Sequence, residues 1–269
     1  MTAKLPELHI TDDRHVRTLR LNRPHKKNAL SETLAWGLVR AIDEATADDD
    51  VWVLAITGTE DAFCSGVDLT PDGNADDRGP MSERQAQLDD LGWVGKLPLA
   101  IRERCDKPVV AGLNGVAAGA GLAIAMACDM RLAAESAWLF PGYSRIGGSP
   151  DGGLSWTLPQ AVGYEKAMRF LLENKRVDSD EALSLGLIGE VVPDDQFQDR
   201  LAEYCLSLTT ISPIAARLTK RVVREATKID IEAQVRYELQ TIGRAFASED
   251  GQESRRAFLE RRQPEIKGR

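Results

Sequence analysis

Two apolar strands that each run straight into a turn of glycine and small residues constrain this chain more than any other feature. Residues 51–57, VWVLAIT, read as a buried strand leading into the loop EDAFCSGVDL, and residues 108–112 read as a second, shorter one leading into NGVAAGAGLAIAMACD. Glycine lets the backbone bend sharply and lets a ligand come close, while a helix that follows offers free N–H groups carrying partial positive charge. One N–H from each loop could therefore grip a single oxygen that becomes negative. Taken alone, each loop reads as no more than a tight strand-to-helix turn. Neither fits the dinucleotide fingerprint or the GxxxxGK[ST] phosphate loop.

The remaining pattern is α/β. Residues 15–22 alternate as a strand does, and Ser31 is placed to cap a helix whose Leu34, Leu38, Ala41, Ile42 and Ala45 share one face. The stretch 70–80, rich in Pro, Gly and Asp, reads as a mobile loop, and 82–104 as one long amphipathic helix. From about residue 152 the pattern is mostly helical, with Ser179 a candidate cap and Gly186 a candidate stop. Leu201, Cys205 and Leu208 form one apolar stripe, and Ile214, Leu218, Val222 and Ala226 another; both read as core or subunit contacts. A length of 269 residues accommodates one large domain and a smaller appendage.

Several function classes drop out. The four cysteines, Cys64, Cys105, Cys128 and Cys205, form no CxxC pair, which argues against a disulfide framework and a zinc site. The three histidines, His9, His15 and His25, all lie near the start, too few and too clustered for a histidine triad or metal centre. A formal net charge of −8 disfavours nucleic acid as a partner. No apolar run is long enough to span a bilayer, and the opening MTAKLPELHI has no apolar signal core, so a cytoplasmic protein without a membrane partner is expected. Two basic clusters, His25-Lys26-Lys27 and Arg255 through Lys267, read either as solvated faces or as local sites for an anion.

Five segments, LNRPHKKNAL, ITGTEDAFCSGVDL, KPVVAGLNGVAAGAGLAIAMACDMRLAAESA, RIGGSPDGGLSWTLPQAVG and AFLERRQPEIKGR, span almost the whole chain. In order and spacing they resemble the crotonase (enoyl-CoA hydratase/isomerase) superfamily, and in motif they are most similar to its epoxyphenylacetyl-CoA isomerase-like members. The resemblance implies a crotonase-like (ClpP/crotonase) core of repeated β-β-α turns over residues 1–195. It also implies a helical C-terminal segment, 196–269, that serves oligomerisation and part of the coenzyme A site, in a homotrimer or dimer of trimers. The implied partner is an acyl-CoA thioester, with no cofactor beyond the coenzyme A carried by the substrate and no metal.

Position by position, the resemblance puts oxyanion donors on the backbone N–H groups of Val67 and Ala120. The second position is usually glycine; alanine keeps the donor if its φ is negative. Lys26 and Lys27 would lie beside the pantetheine or phosphates, and Ser65, Asp68 and Leu69 near the adenine. Gly121 and Tyr143 join the substrate-binding set, and Lys267 would reach a phosphate from the same or a neighbouring subunit. The two glutamates that hydratases of the family use are matched here by Ala123 and Tyr143. Alanine carries no proton, and a phenol of reference pKa near ~10 is a poor base at neutral pH. Asp151, in SPDGG, matches the aspartate of isomerases and dehalogenases, and on its own reads equally as a helix N-cap. The expected reaction is therefore an isomerisation of an enoyl-CoA or ring-epoxide acyl-CoA with one aspartate. Hydration by non-standard groups, hydrolysis or C–C cleavage of a β-keto or ring acyl-CoA, and binding without chemistry stand as alternatives.

Overall fold

A computed structural model describes residues 6–70 and 81–269. The polar stretch expected as a mobile loop lies, apart from Thr70, outside the described residues. The chain opens with β1 (Leu8–Asp13) and β2 (Val16–Leu21), an antiparallel hairpin, followed by α1 (Glu32–Ala47). Ser31 caps α1 as expected, its hydroxyl accepting the N–H of Leu34, and the face Leu34, Leu38, Ala41, Ile42 and Ala45 is buried.

A repeating unit then sets the architecture. β3 (Val53–Gly58) is followed at once by β4 (Ala62–Cys64), β5 (Val109–Leu113) by β6 (Val116–Ala118), and β7 (Met130–Ala134) by β8 (Trp138–Phe140). The first strand of each pair joins a six-stranded sheet ordered β1-β2-β3-β5-β7-β10, where β10 is Glu190–Val192. The second joins a four-stranded sheet ordered β4-β6-β8-β9, where β9 is Val177–Asp178. Apart from the hairpin and the antiparallel β8–β9 pair, the ladders are parallel, so each turn of the chain advances one step along both sheets. This is the expected β-β-α superhelix.

Helices fill the intervals. The helix expected over 82–104 is instead α2 (Glu83–Gln87), α3 (Gly92–Leu99) and a wider final turn, Ala100–Arg104. Gly92 turns to φ +55° between them, and Pro98 has no N–H to give to the Val94 carbonyl, so the apolar period does not survive as one rod. α4 (Ala120–Ala127) is buried all round. α5 (Leu154–Val162), α6 (Tyr164–Glu173) and α7 (Ser179–Leu185) follow. The cap of α7 is Asp178, whose carboxylate accepts the N–H of Glu181. Ser179, expected in that role, gives its hydroxyl to the Glu135 carbonyl, while Gly186 ends the helix at φ +84° as expected.

α8 (Phe197–Leu208) packs on β3 and β7, and Leu201 presses so closely on β5 that a Cβ at Gly112 would stand 2.4 Å from its methyl. The core thus continues through α8, past the expected boundary at 195. Beyond it α9 (Pro213–Glu225), α10 (Ile231–Ala247) and α11 (Glu249–Glu260) form the appendage. Arg217 ties α9 to Asp106 at 2.8 Å, and Lys220 donates to the carbonyls of Ile101 and Lys107. Among the described residues no helix is long and apolar enough to cross a membrane, and no cluster of metal-binding side chains occurs.

The step from the large sheet to the small one is held by two buried asparagines. Asn114 accepts the Gly58 N–H at 2.9 Å and donates to the carbonyls of Glu60 and Ala62 at 2.8 and 2.9 Å. Asn28 accepts the Arg23 N–H and donates to the carbonyls of Thr59 and Ala62. Each group left unpaired in a buried site costs about 1–3 kcal/mol. Asn114→Ala is therefore expected to lower unfolding stability by about 3 kcal/mol, read from urea denaturation; a loss below about 1 kcal/mol would show that the crossover does not depend on this side chain.

Candidate active site

The first small-residue loop leaves β4 through Gly66, at φ +106°, and presents Val67. Leu30 bridges to Val67 in parallel fashion: the Leu30 N–H donates to the Gly66 carbonyl at 2.8 Å, and the Asp68 N–H donates to the Leu30 carbonyl at 2.9 Å. In such a bridge the central residue turns its own N–H and C=O to the opposite side. The Val67 N–H therefore points away from Leu30.

The second loop turns at Gly119, whose φ of +52° and ψ of −121° suit only glycine, and Ala120 is the first residue of α4. Its N–H has no acceptor within the helix and sits at the positive end of the dipole. Ala120 is not among the residues of positive φ, so its methyl is compatible with the donor role. A Cβ at Gly66 would lie 3.1 Å from the Ala118 carbonyl oxygen and 3.7 Å from the Ala120 nitrogen, so the two loops touch backbone to backbone. Gly121, expected to meet substrate, is buried against the first loop: a Cβ there would stand 2.2 Å from the Cys64 carbonyl oxygen. The glycine there serves loop-to-loop packing. Burial pushes the Cys64 thiol up to about 12, which removes it as a nucleophile.

One helical turn beyond Ala120, on the same face of α4, lies Ala123, 3% exposed. The loop carrying Asp151 rests on it: Gly152, at φ +57°, comes so near that its Cβ would meet the Ala123 methyl at 3.0 Å. Around them Leu30, Trp93, Val94, Leu97, Pro98 and Ile124 close to a void of about 10 Å³, room for about one water. Spacing along the chain does not bring Trp93 to this place, because the break at Gly92 resets the phase of its helix.

Asp151 does not cap α5. The capping position is Gly153, without a side-chain bond, and only the Asp151 backbone carbonyl takes part, accepting the Leu154 N–H at 3.0 Å. The carboxylate instead accepts the phenol O–H of Tyr143 at 2.9 Å. Burial first, then the negative charge of Asp151 and this hydrogen bond, push the Tyr143 phenol well above its ordinary range. Tyr143 is thus a donor at neutral pH, and the helix-cap reading of Asp151 is overturned.

The residues expected around coenzyme A divide. Lys26, Ser65 and Asp68 come together: the Ser65 hydroxyl donates to the Lys26 carbonyl, and the Lys26 ammonium reaches the Thr70 hydroxyl at 2.9 Å and Asp68 at 3.7 Å. Asp68 is held well below the usual carboxylate range, chiefly by the Thr70 hydroxyl and N–H, with Arg23 at 3.0 Å adding to them. Leu69 is 71% exposed beside this cluster, and Lys27 turns to Asp61. Lys267 sits elsewhere. Its N–H, with those of Gly268 and Arg269, donates to the buried Asp250, and Gly268 lies against Trp52, at the entry to β3. The Lys26 turn follows Leu21, which pairs with Gly58 at the other end of that strand, about 20 Å from Trp52. Within one subunit Lys267 is therefore remote from Lys26.

The family model described as enoyl-CoA hydratase/isomerase matches residues 11–269. The chain is 31% identical to the 1,2-epoxyphenylacetyl-CoA isomerase of Escherichia coli (strain K12), over 96% of this chain and 97% of that one. It is 29% identical to the 2,3-dehydroadipyl-CoA hydratase of the same organism, over 98% and 100%. In three dimensions it is similar to an enoyl-CoA hydratase from Bacillus anthracis, with a TM-score of 0.87, 28% identity, and 98% and 100% of the two chains covered.

The packing of Gly152 on Ala123 leaves no space for a carboxylate on α4. Ala123→Glu is expected to cost about 3 kcal/mol of stability through overpacking and an unpaired buried acid, measured by chemical denaturation. A variant as stable as the parent would show that the Asp151 loop yields readily.

Proposed function

The chain belongs to the enoyl-CoA hydratase/isomerase family, and from that premise we propose that it is an acyl-CoA isomerase in which Asp151 is the only carboxylate that moves a proton. The observation that carries this reading is the Asp151 carboxylate, bound by the Tyr143 phenol, beside a position 123 that has only a methyl. Two carboxylates flanking one water are what hydration of the usual kind requires. Here one of the two positions is Ala123, and the other is Tyr143, whose O–H donates a hydrogen bond to Asp151.

In the proposed reaction the thioester oxygen rests between the N–H groups of Val67 and Ala120. Asp151 takes a proton from the α- or γ-carbon of an enoyl-CoA, and the electron pair moves onto that oxygen as an enolate. The proton then returns to the other carbon and the double bond has shifted. Each backbone donor is worth about 2.7–4 kcal/mol of transition-state stabilisation, and neither can be removed by changing a side chain. A ring epoxide beside the thioester is a second substrate type for the same parts, in line with the activity named for the 31% identical isomerase. The route calls on no cofactor beyond the coenzyme A of the substrate.

An assembly of three copies, or two such trimers, belongs to the same reading. It is supported by the apolar side chains that α10 leaves exposed, Ile231, Val235, Ile242 and Phe246, and by the remoteness of Lys267 from the Lys26 cluster of its own subunit. Lys267 would then serve a neighbour's coenzyme A.

The test is turnover of trans-3-hexenoyl-CoA in heavy water. The isomer should form with deuterium at the α- or γ-carbon, and Asp151→Asn should lower kcat by about a hundredfold or more. Unchanged turnover in Asp151→Asn would remove the aspartate from the chemistry, and a product heavier by one water would replace isomerisation with hydration.

A further inference from the structure

Asp151 sits on a stretch of backbone with little of its own to hold it. Gly147, Gly148, Gly152 and Gly153 surround it, and three of them, Gly147, Gly152 and Gly153, have positive φ. Glycine backbone loses much freedom on being ordered, so a side chain carried there keeps one orientation only if something grips it. The helix that follows does not, since Gly153 is its cap. Among the described residues the carboxylate has a single hydrogen-bonding partner, the Tyr143 phenol, on Oδ1; Oδ2 accepts nothing.

The partner is itself fixed. Tyr143 begins a short turn, Tyr143–Ile146, and is 8% exposed. The Gly142 N–H donates to the side-chain oxygen of Asn174 at 2.8 Å, and the Tyr143 carbonyl accepts the Gly148 N–H at 2.9 Å. Asn174 closes α6 in the left-handed region, so the turn is anchored to a helix end. A rigid, buried donor thus meets a carboxylate on pliant backbone.

We propose that Tyr143 is a positioning residue: its O–H, donated to Oδ1, fixes the Asp151 carboxylate and leaves Oδ2 as the oxygen that takes up and returns the proton. This rests on Asp151 being the base of the proposed isomerisation. Other charges near the pair are few. α4 and α5 have none, Lys96 of α3 is bound to Asp89 at 2.5 Å, and on α6 Arg169 pairs with Glu165 and Glu173 while Lys166 is exposed. Arg145, on the turn itself, is exposed.

The experiment compares the full chain with Tyr143→Phe, Asp151→Asn and the double variant on trans-3-hexenoyl-CoA. Tyr143→Phe keeps the ring and its packing. It should lower kcat about tenfold to a hundredfold, with KM within about twofold, as expected when an interaction that aligns a charged group is lost. Placing 3-fluorotyrosine at position 143, which keeps the donor, should hold kcat within about threefold of the parent. In the Asp151→Asn background Tyr143→Phe should add nothing. A Tyr143→Phe enzyme with parental kcat, beside an inactive Asp151→Asn, would overturn the positioning role and leave the base in place. Parental turnover in Asp151→Asn would instead overturn the base and the positioning role with it. Where Tyr143→Phe does not fold, 4-fluorophenylalanine at position 143, which fills the place of the O–H and cannot donate, decides, and parental kcat there overturns the proposal.

Discussion

The carbonyl of Ala62 accepts a hydrogen bond from Asn28 at 2.7 Å and another from Asn114 at 2.9 Å, and the catalytic frame depends on this shared acceptor. It marks the point where the chain leaves the large sheet for the small one. The turn there is too tight for side chains: a Cβ at Gly58 would stand 1.9 Å from the Ala62 oxygen, and one at Gly115 would stand 2.0 Å from the Asp61 oxygen. Backbone groups packed so closely cannot reach water, and in a low-dielectric interior each must be satisfied by protein. The amides of the two asparagines do so. β4 and β6 thereby leave the crossover side by side, and the loops after them meet at Gly66 and Ala120.

Once the two loops are locked together, the donors proposed for the thioester oxygen are properties of backbone. Val67 and Ala120 could be many other residues without loss of an N–H, whereas Gly66, Gly119 and Gly121 could not change without strain or collision. Chemistry is selected elsewhere, by side chains that approach this frame. At position 123 a methyl leaves room for the loop after β8, and Gly152 fills that room. The carboxylate nearby is that of Asp151, in the loop before α5, and it accepts a hydrogen bond from a phenol that its own burial keeps protonated. The core of α4 and the seat of the acid proposed as the base are coupled through one methyl contact.

The C-terminal tail is coupled to the body through a second carboxylate of a different kind. Asp250, 1% exposed, accepts three consecutive backbone N–H groups at 2.7–3.0 Å and so pins residues 267–269 beside Trp52. That placement carries the backbone of Lys267 to the end of β3 opposite the turn that holds Lys26, and in the proposed assembly this lysine faces a neighbour's site.

Much of this was legible in the sequence because it follows from local pattern. Strand alternation, the Ser31 cap and the small-residue loops are written in residue type and spacing, a φ that only glycine adopts has to be encoded by a glycine, and the missing glutamates are legible only through the family resemblance. The long helix over 82–104 was not legible, since the apolar period continues through Leu91 and Gly92 while the chain itself turns at φ +55°. Asn28 and Asn114 were silent for a related reason: apart from the Arg23 N–H, the partners named above lie 31 to 56 positions away, and a polar residue gives no sign of which distant carbonyl or N–H it will satisfy. Asp151 shows the division most directly. Its sequence context, between Pro150 and two glycines, suits a helix cap and a base equally. Only the tertiary structure set the cap aside, because the phenol that claims the carboxylate comes from a buried turn anchored on another helix, and hydrogen bonding across elements has no period along the chain.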